Sequence, residues 1–169
     1  MEIINSNLSD LPQIFEFYRL ATEYMKSKNE VHWPEFKKEL ITTEINENRQ
    51  WKLLVDDKTA CIWATTLSDE LIWGSENATP SLYIHRIATH PEFRGQNMTS
   101  HLIEWANVYA KEKNLEYLRL DTVGLNQGLI RHYKSLGFTF LGTRRIETST
   151  GLPGHYAQGP VCFFQRAVV

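Results

Sequence analysis

The chain has 169 residues, 42% of them hydrophobic and 22% charged, which predicts one globular domain spanning 1–169. A domain of this size buries about 70% of its unfolded surface and needs no disulfide or metal staple. The formal net charge of -2 gives no sequence-independent attraction to nucleic acid, and no apolar run approaches the ~18 residues of a membrane span.

The first ten residues are polar and lack a basic stretch followed by an apolar one, so no secretory signal is expected. The two cysteines, Cys61 and Cys162, sit in apolar, strand-like stretches and read as buried structural thiols. Together these features lead to the expectation of a reducing, cytoplasmic compartment.

Glu2 to Ile4 reads as a first strand. Ser9 or Asp10 caps a helix that tolerates Pro12 in its first turn, and Leu11, Ile14, Phe15, Tyr18, Ala21 and Met25 recur at helical spacing. Past a polar loop at Lys26 to Glu30, Pro34 is expected to open a second helix with a stripe of Phe36, Leu40, Ile41 and Ile45. Trp51 to Val55 and Ala60 to Leu67 read as a hairpin turning at Asp56, Asp57 and Lys58. Ser68 to Pro80 has no period, and Trp73 within it is expected to be partly exposed.

Leu82 to Ala88 is a further strand. Met98, Leu102, Trp105, Ala106 and Tyr109 then mark an amphipathic helix that stops near Asn114. Glu116 to Thr122 is a strand, Leu129, Ile130, Tyr133 and Leu136 mark a short helix ended by Gly137, and Phe138 to Thr143 and Val161 to Val168 complete the sheet. The loop between the last two strands, Arg144 to Pro160, exceeds the ~12–15 residues usual for a passive connection. The order β-α-α-β-β-β-α-β-α-β-β implies an α/β fold: a mixed, mostly antiparallel sheet of about seven strands with helices on both faces.

The most informative segment is the strand ending in Thr89-His90-Pro91-Glu92-Phe93-Arg94-Gly95-Gln96-Asn97-Met98-Thr99 and entering a helix. A tight turn at a helix N-terminus exposes unpaired backbone amides at the positive end of the helix dipole, and such a turn binds phosphate. Arg94 adds a cation. By pattern alone an ordinary strand-to-helix turn with a solvated arginine fits equally well.

The stretch Tyr83-Ile84-His85-Arg86-Ile87-Ala88-Thr89-His90-Pro91-Glu92-Phe93-Arg94-Gly95 resembles the central motif of the GNAT superfamily of N-acyltransferases. Leu120-Asp121-Thr122, Asn126, Tyr133 and Leu136-Gly137-Phe138 resemble its second cofactor segment, in the expected order and separation. Two positions depart from the pattern: Asn97 and Thr99 stand where the family has glycine and glycine or alanine. Asn is the non-glycine residue that best tolerates a left-handed backbone, which keeps the turn available.

The resemblance implies a splay between the strand of Leu82 to Ala88 and that of Glu116 to Thr122, with the pantetheine arm of acetyl-CoA lying in the gap as an added strand. Ile87, Ala88 and Thr89 would face the arm through their backbone. The amides of Arg94, Gly95, Gln96, Asn97, Met98 and Thr99 would hold the pyrophosphate, and Asn126 would bond the pantetheine amide.

The implied reaction is attack of a primary amine of a small molecule on the thioester in a ternary complex. The amine must lose a proton, and His85, on the strand beside the gap, is the candidate base; read alone it is equally a packed strand histidine. Tyr133 is the candidate acid for the leaving thiolate and otherwise a core tyrosine on its helix stripe. The Ile87 amide would serve the oxyanion. His32, Trp33, His155 and Tyr156 are candidate acceptor contacts, with surface-loop residues as the plain alternative. His90 and His101 read as solvated or capping residues.

No HxxxH or CxxC spacing occurs, so no metal is expected. The loss of both glycines motivates a second reading, a non-catalytic acyl-CoA sensor on the same fold. Neither nucleic acid nor membrane is expected as a partner. A homodimer joined through the last strand, with Phe163, Phe164 and Val168 at its face, is permitted.

Overall fold

The computed structural model describes residues 1–146 and 151–169. Residues 147–150, in the loop expected between the last two strands, lie outside the described residues. Among the described residues, seven strands form one sheet in the order β1-β2-β3-β4-β5-β7-β6: β1 (Glu2–Asn5), β2 (Gln50–Val55), β3 (Lys58–Thr66), β4 (Ser81–Thr89), β5 (Tyr117–Val123), β6 (Thr139–Arg144) and β7 (Val161–Ala167). Every pairing is antiparallel except that of β4 with β5. Asp56 and Asp57 both adopt positive φ and close the β2–β3 hairpin, a conformation that suits a tight two-residue turn.

Among the described residues, five α-helices flank the sheet: α1 (Leu11–Ser27), α2 (Lys38–Asn46), α3 (Glu70–Trp73), α4 (Met98–Glu112) and α5 (Gln127–Ser135). Alternation along each strand sends side chains to opposite faces. Leu82, Ile84, Leu118 and Leu120 pack with Leu102, Ala106, Ile130 and Tyr133 of α4 and α5. On the other face, Ile62 and Ala88 meet Ile14, Phe17, Tyr18 and Ile41 of α1 and α2, while Tyr83 and Phe163 meet Trp73 of α3. None of these helices is long and apolar enough to cross a membrane.

Three expectations are corrected. Pro34 does not open the second helix, which begins at Lys38. Trp33 and Phe36 instead pack edge-on against Tyr18 and each other, and that aromatic cluster holds the segment irregular. Leu40 is accordingly at the exposed edge of α2 rather than on its buried stripe. Trp73 is fully buried, because four residues of helix fold it onto Phe163 and Tyr83. Phe163 and Phe164, expected at an outer face, are instead buried inside the chain on a strand flanked by β5 and β6.

The feature that shapes the site is where β4 and β5 part. Their register covers only Ser81 with Tyr117, Leu82 with Leu118, and Tyr83 with Arg119. Two residues later β4 bulges: its pairing with β3 jumps from Ala64–His85 to Ile62–Ala88, leaving Arg86 and Ile87 without a register partner. Arg86 takes φ +51° there, a left-handed conformation costly for a non-glycine residue. Its guanidinium is held by the buried Glu44 carboxylate and the Tyr18 hydroxyl, and lies 5.2 Å from the centre of the Phe36 ring.

Glu44→Ala would strand the Arg86 charge in this site. We expect a loss of about 3–5 kcal/mol in unfolding free energy, measured by guanidinium denaturation, against under 1 kcal/mol for Glu23→Ala, whose exposed carboxylate pairs with Arg19 on α1.

Candidate active site

The gap opened by the β4–β5 splay is the mouth of a cavity of about 510 Å³. It cuts through the sheet, so it is lined from both faces. Tyr133 reaches it from the α4–α5 face, while His85, Asp121, His155 and Tyr156 reach it from the other. Trp33 and Ile87 also line it.

On the α3 face, single ligand atoms of Asp69, His85 and Asp121 lie within 4.8 Å of one another. His85 follows Tyr83 by two residues on β4, and Asp121 follows Arg119 by two on β5, so alternation turns both toward this face. Asp69 immediately precedes α3, with its amide held by the Asn77 side chain at 2.7 Å. His85 Nε2 lies 3.4 Å from Asp69 Oδ2, and the Tyr156 hydroxyl donates to Asp121 Oδ2 at 2.8 Å. The sequence offers no linear spacing that joins these three residues; three separate elements bring them together.

Burial sets their protonation. It lowers His85 to about 3, helped by the charges of Arg86 and Arg49, so the imidazole is neutral at pH 7. Asp69 is pushed up to about 7, by burial first and by the Asp121 charge second. Burial raises Asp121 to about 6 against the opposing hydrogen bond from Tyr156. His155 falls to about 4, mainly by burial. Tyr133 is raised above an ordinary tyrosine, chiefly by burial, and so keeps its proton. Its ring is fixed against Phe138 and Phe164.

The strand-to-helix turn follows directly from β4. Gly95 has φ +77° and Asn97 φ +60° with ψ 27°, so asparagine occupies the left-handed position that the family glycine would take. Asn97 makes no side-chain cap for α4. Among the described residues, the amides of Arg94 and Gln96 already bond the carbonyls of Pro91 and Phe93. The amides of Gly95, Asn97, Met98 and Thr99 are the ones left for an anion. The Arg94 guanidinium lies 4.3 Å from the centre of the Tyr24 ring, next to Met25 at the cavity wall.

Of the remaining candidates, Asn126 lines the cavity and caps α5 by accepting from the Leu129 amide at 3.0 Å, which occupies its oxygen and leaves its NH₂ as the donor. Ala88 and Thr89 lie beyond the cavity: Ala88 is buried against α1 and α2, and the Thr89 hydroxyl contacts Cys61 Sγ at 3.5 Å. His32 is also outside the lining, its ring nitrogen 3.0 Å from the Trp33 carbonyl. His90 caps the short turn after β4 by accepting from the Glu92 amide. Both cysteines are free and buried, as expected.

The profile of the acetyltransferase (GNAT) family matches residues 14–138, well over half the chain. The chain belongs to the acetyltransferase (GNAT) family. Among solved structures, this GNAT protein is similar to a GNAT-family acetyltransferase from Listeria monocytogenes 4b F2365, with a TM-score of 0.79 at 17% identity over 98% of this chain and 94% of that one. It is also similar to the ribosomal-protein-S18-alanine N-acetyltransferase of Escherichia coli, with a TM-score of 0.69 at 17% identity over 99% and 93%. At these identities the likeness shows the fold. A curated relative, the uncharacterized N-acetyltransferase YesJ of Bacillus subtilis strain 168, is 30% identical over 74 residues. That match takes in 44% of this chain and 41% of the relative, less than half of its length.

Two outcomes follow from the site's geometry. Asn97→Ala should cost about 1–2 kcal/mol through its left-handed backbone, while Asn97→Gly should be close to neutral, read by thermal unfolding. For Asp69 the penalty is absent below about pH 4, where folded and unfolded chains are both protonated. It develops as pH rises toward about 7, because the unfolded carboxyl ionises while the buried one resists. Asp69→Asn should therefore raise the unfolding temperature at pH 8 and leave it unchanged at pH 4.

Proposed function

We propose that the protein transfers an acetyl group from acetyl-CoA to a primary amine of a small molecule, by direct attack in a ternary complex. The observation that carries this reading is a cavity that crosses the sheet, with a protonated tyrosine on one face and a proton-accepting cluster on the other.

Acetyl-CoA supplies the acetyl group as an activated thioester. The free amides at the N-terminus of α4, with Arg94, suit its pyrophosphate. The Asn126 NH₂ suits its pantetheine amide, and the backbone of the Ile87 bulge suits the carbonyl oxygen. The amine nitrogen forms a bond to the carbonyl carbon and the carbon–sulfur bond breaks. Tyr133 delivers its proton to the departing sulfur. The proton lost by nitrogen passes to His85 and is shared with Asp69, 3.4 Å away, whose affinity for a proton near neutral pH exceeds that of the buried imidazole.

The left-handed Asn97 bears on the sensor alternative. The turn keeps the backbone that the glycine pattern would specify, so the departure at this position does not by itself argue for lost cofactor binding. No cysteine nucleophile enters: Cys61 is buried, and burial pushes its thiol up to about 12. Cytoplasmic action and a monomeric or paired state belong to the same proposal.

Calorimetric titration with free CoA and acetyl-CoA should give micromolar binding; absence of binding at millimolar cofactor would end the acetyltransferase reading. Tyr133→Phe should then lower turnover ~10²–10⁴-fold with CoA affinity unchanged. The rate should climb with pH between about 6 and 7, where Asp121 and Asp69 ionise. His85→Ala should move that profile as well as lower it; a profile that only scales down would assign His85 to packing.

A further inference from the structure

Two exposed cations from distant parts of the chain converge on one ring. The Arg94 guanidinium lies 4.3 Å from the centre of the Tyr24 ring, and Lys28 Nζ lies 5.6 Å from the same centre. Among the described residues neither cation is in an ion pair. Tyr24 is itself 47% exposed, so burial of apolar surface does not account for the arginine resting on it.

The chain builds this arrangement from two sides. Tyr24 and Lys28 are four residues apart, which stacks them on one face at the end of α1. That end is closed by two backbone hydrogen bonds: the Glu30 amide donates to the Met25 carbonyl and the Asn29 amide to the Lys26 carbonyl, with Asn29 left-handed at φ +54°. This pairing stops a helix sharply, and it fixes the backbone of Lys28 beside the ring. Arg94 arrives from the turn after β4, one residue before Gly95. The neighbouring Met25 and Asn29 line the cavity, so the two cations stand at its rim.

Like charges gathered on one ring repel each other, and an anion between them would reverse that. The surroundings specify which anion. The free amides of Gly95, Asn97, Met98 and Thr99 lie at the N-terminus of α4, directly after Arg94, and amides of that kind with two side-chain cations suit a diphosphate.

We propose that Lys28 joins Arg94 in holding the diphosphate of coenzyme A, and that Tyr24 is a positioning residue that keeps the Arg94 guanidinium at the α4 turn. This rests on the acetyl-CoA reading above and extends the cofactor site to the end of α1. The ring restricts a long, mobile side chain before the cofactor arrives, so less freedom is lost on binding.

The test is calorimetric titration with CoA and with dephospho-CoA, which keeps the diphosphate and lacks the ribose phosphate. Lys28→Gln should weaken CoA ~5-fold, the upper end for an exposed ion pair, and weaken dephospho-CoA by the same factor. Tyr24→Leu should weaken CoA ~2–5-fold, the range of an exposed cation–π contact, and Tyr24→Phe, which keeps the ring, should restore the affinity. In an Arg94→Ala background Tyr24→Leu should cost nothing further, because a positioning residue acts only through the group it positions.

Unchanged CoA affinity in Lys28→Gln or Tyr24→Leu would overturn the proposal. So would a Lys28→Gln loss confined to CoA and absent with dephospho-CoA, or a Tyr24→Leu loss that persists in full without Arg94. Wild-type protein that binds no CoA at millimolar concentration would end it together with the acetyl-CoA reading, whereas wild-type binding with indifferent variants would end it alone.

Discussion

Everything distinctive in this fold follows from β4 leaving β5 after Tyr83 while staying paired to β3 through a bulge. An unpaired parallel edge inside a sheet exposes backbone donors and acceptors with nothing to satisfy them. The chain tolerates that gap because the bulge is anchored from outside the sheet. Arg86 sits in a left-handed conformation and is clamped by Glu44, Tyr18 and Phe36. The α1–α2 layer is thus the support that keeps the sheet open as well as a cover for the sheet.

Opening the sheet has an electrostatic consequence. His85 and Asp121 would be core positions in a continuous sheet; here the same alternation turns them into one wall of a cavity, and Tyr133 of α5 supplies the opposite wall. The groups on the α3 face are poorly solvated, so carboxylates hold protons near neutral pH and imidazoles do not. Their burial is unfavourable for stability and favourable for proton exchange with an incoming amine, the usual tension between a strained site and a stable fold. The tyrosine across the gap is raised in the opposite role, as a group that stays protonated.

Much of this was legible in the sequence. The period of α1 and α4, the alternation of the strands, the punctuation at Gly137 and the GNAT-like turn carry local signals. Asn97 was readable as a glycine substitute because one residue's backbone preference decides that position. What was not legible depended on contacts between distant segments. Pro34 reads as a helix opener, but the packing of Trp33 and Phe36 on Tyr18 delays α2 to Lys38. A four-residue helix is too short to show a period, so Trp73 looked like a loop residue. Arg119 and Asp121 alternate with Leu118 and Leu120 as a solvated strand face would. Only the cover supplied by α3 and the 154–157 turn reveals that face as interior, and with it the pairing of Asp121 and Asp69 around His85.

The most direct measurement is a crystal structure of the protein with CoA bound. The pantetheine arm should run through the gap between β4 and β5 beyond Tyr83. Its pyrophosphate should rest on the amides of Gly95, Asn97, Met98 and Thr99. The thiol should come to rest between the Tyr133 hydroxyl and the cluster of Asp69, His85 and Asp121. CoA bound away from the gap, or a thiol pointing out of the cavity with Tyr133 and the cluster on the same side, would contradict a two-faced site.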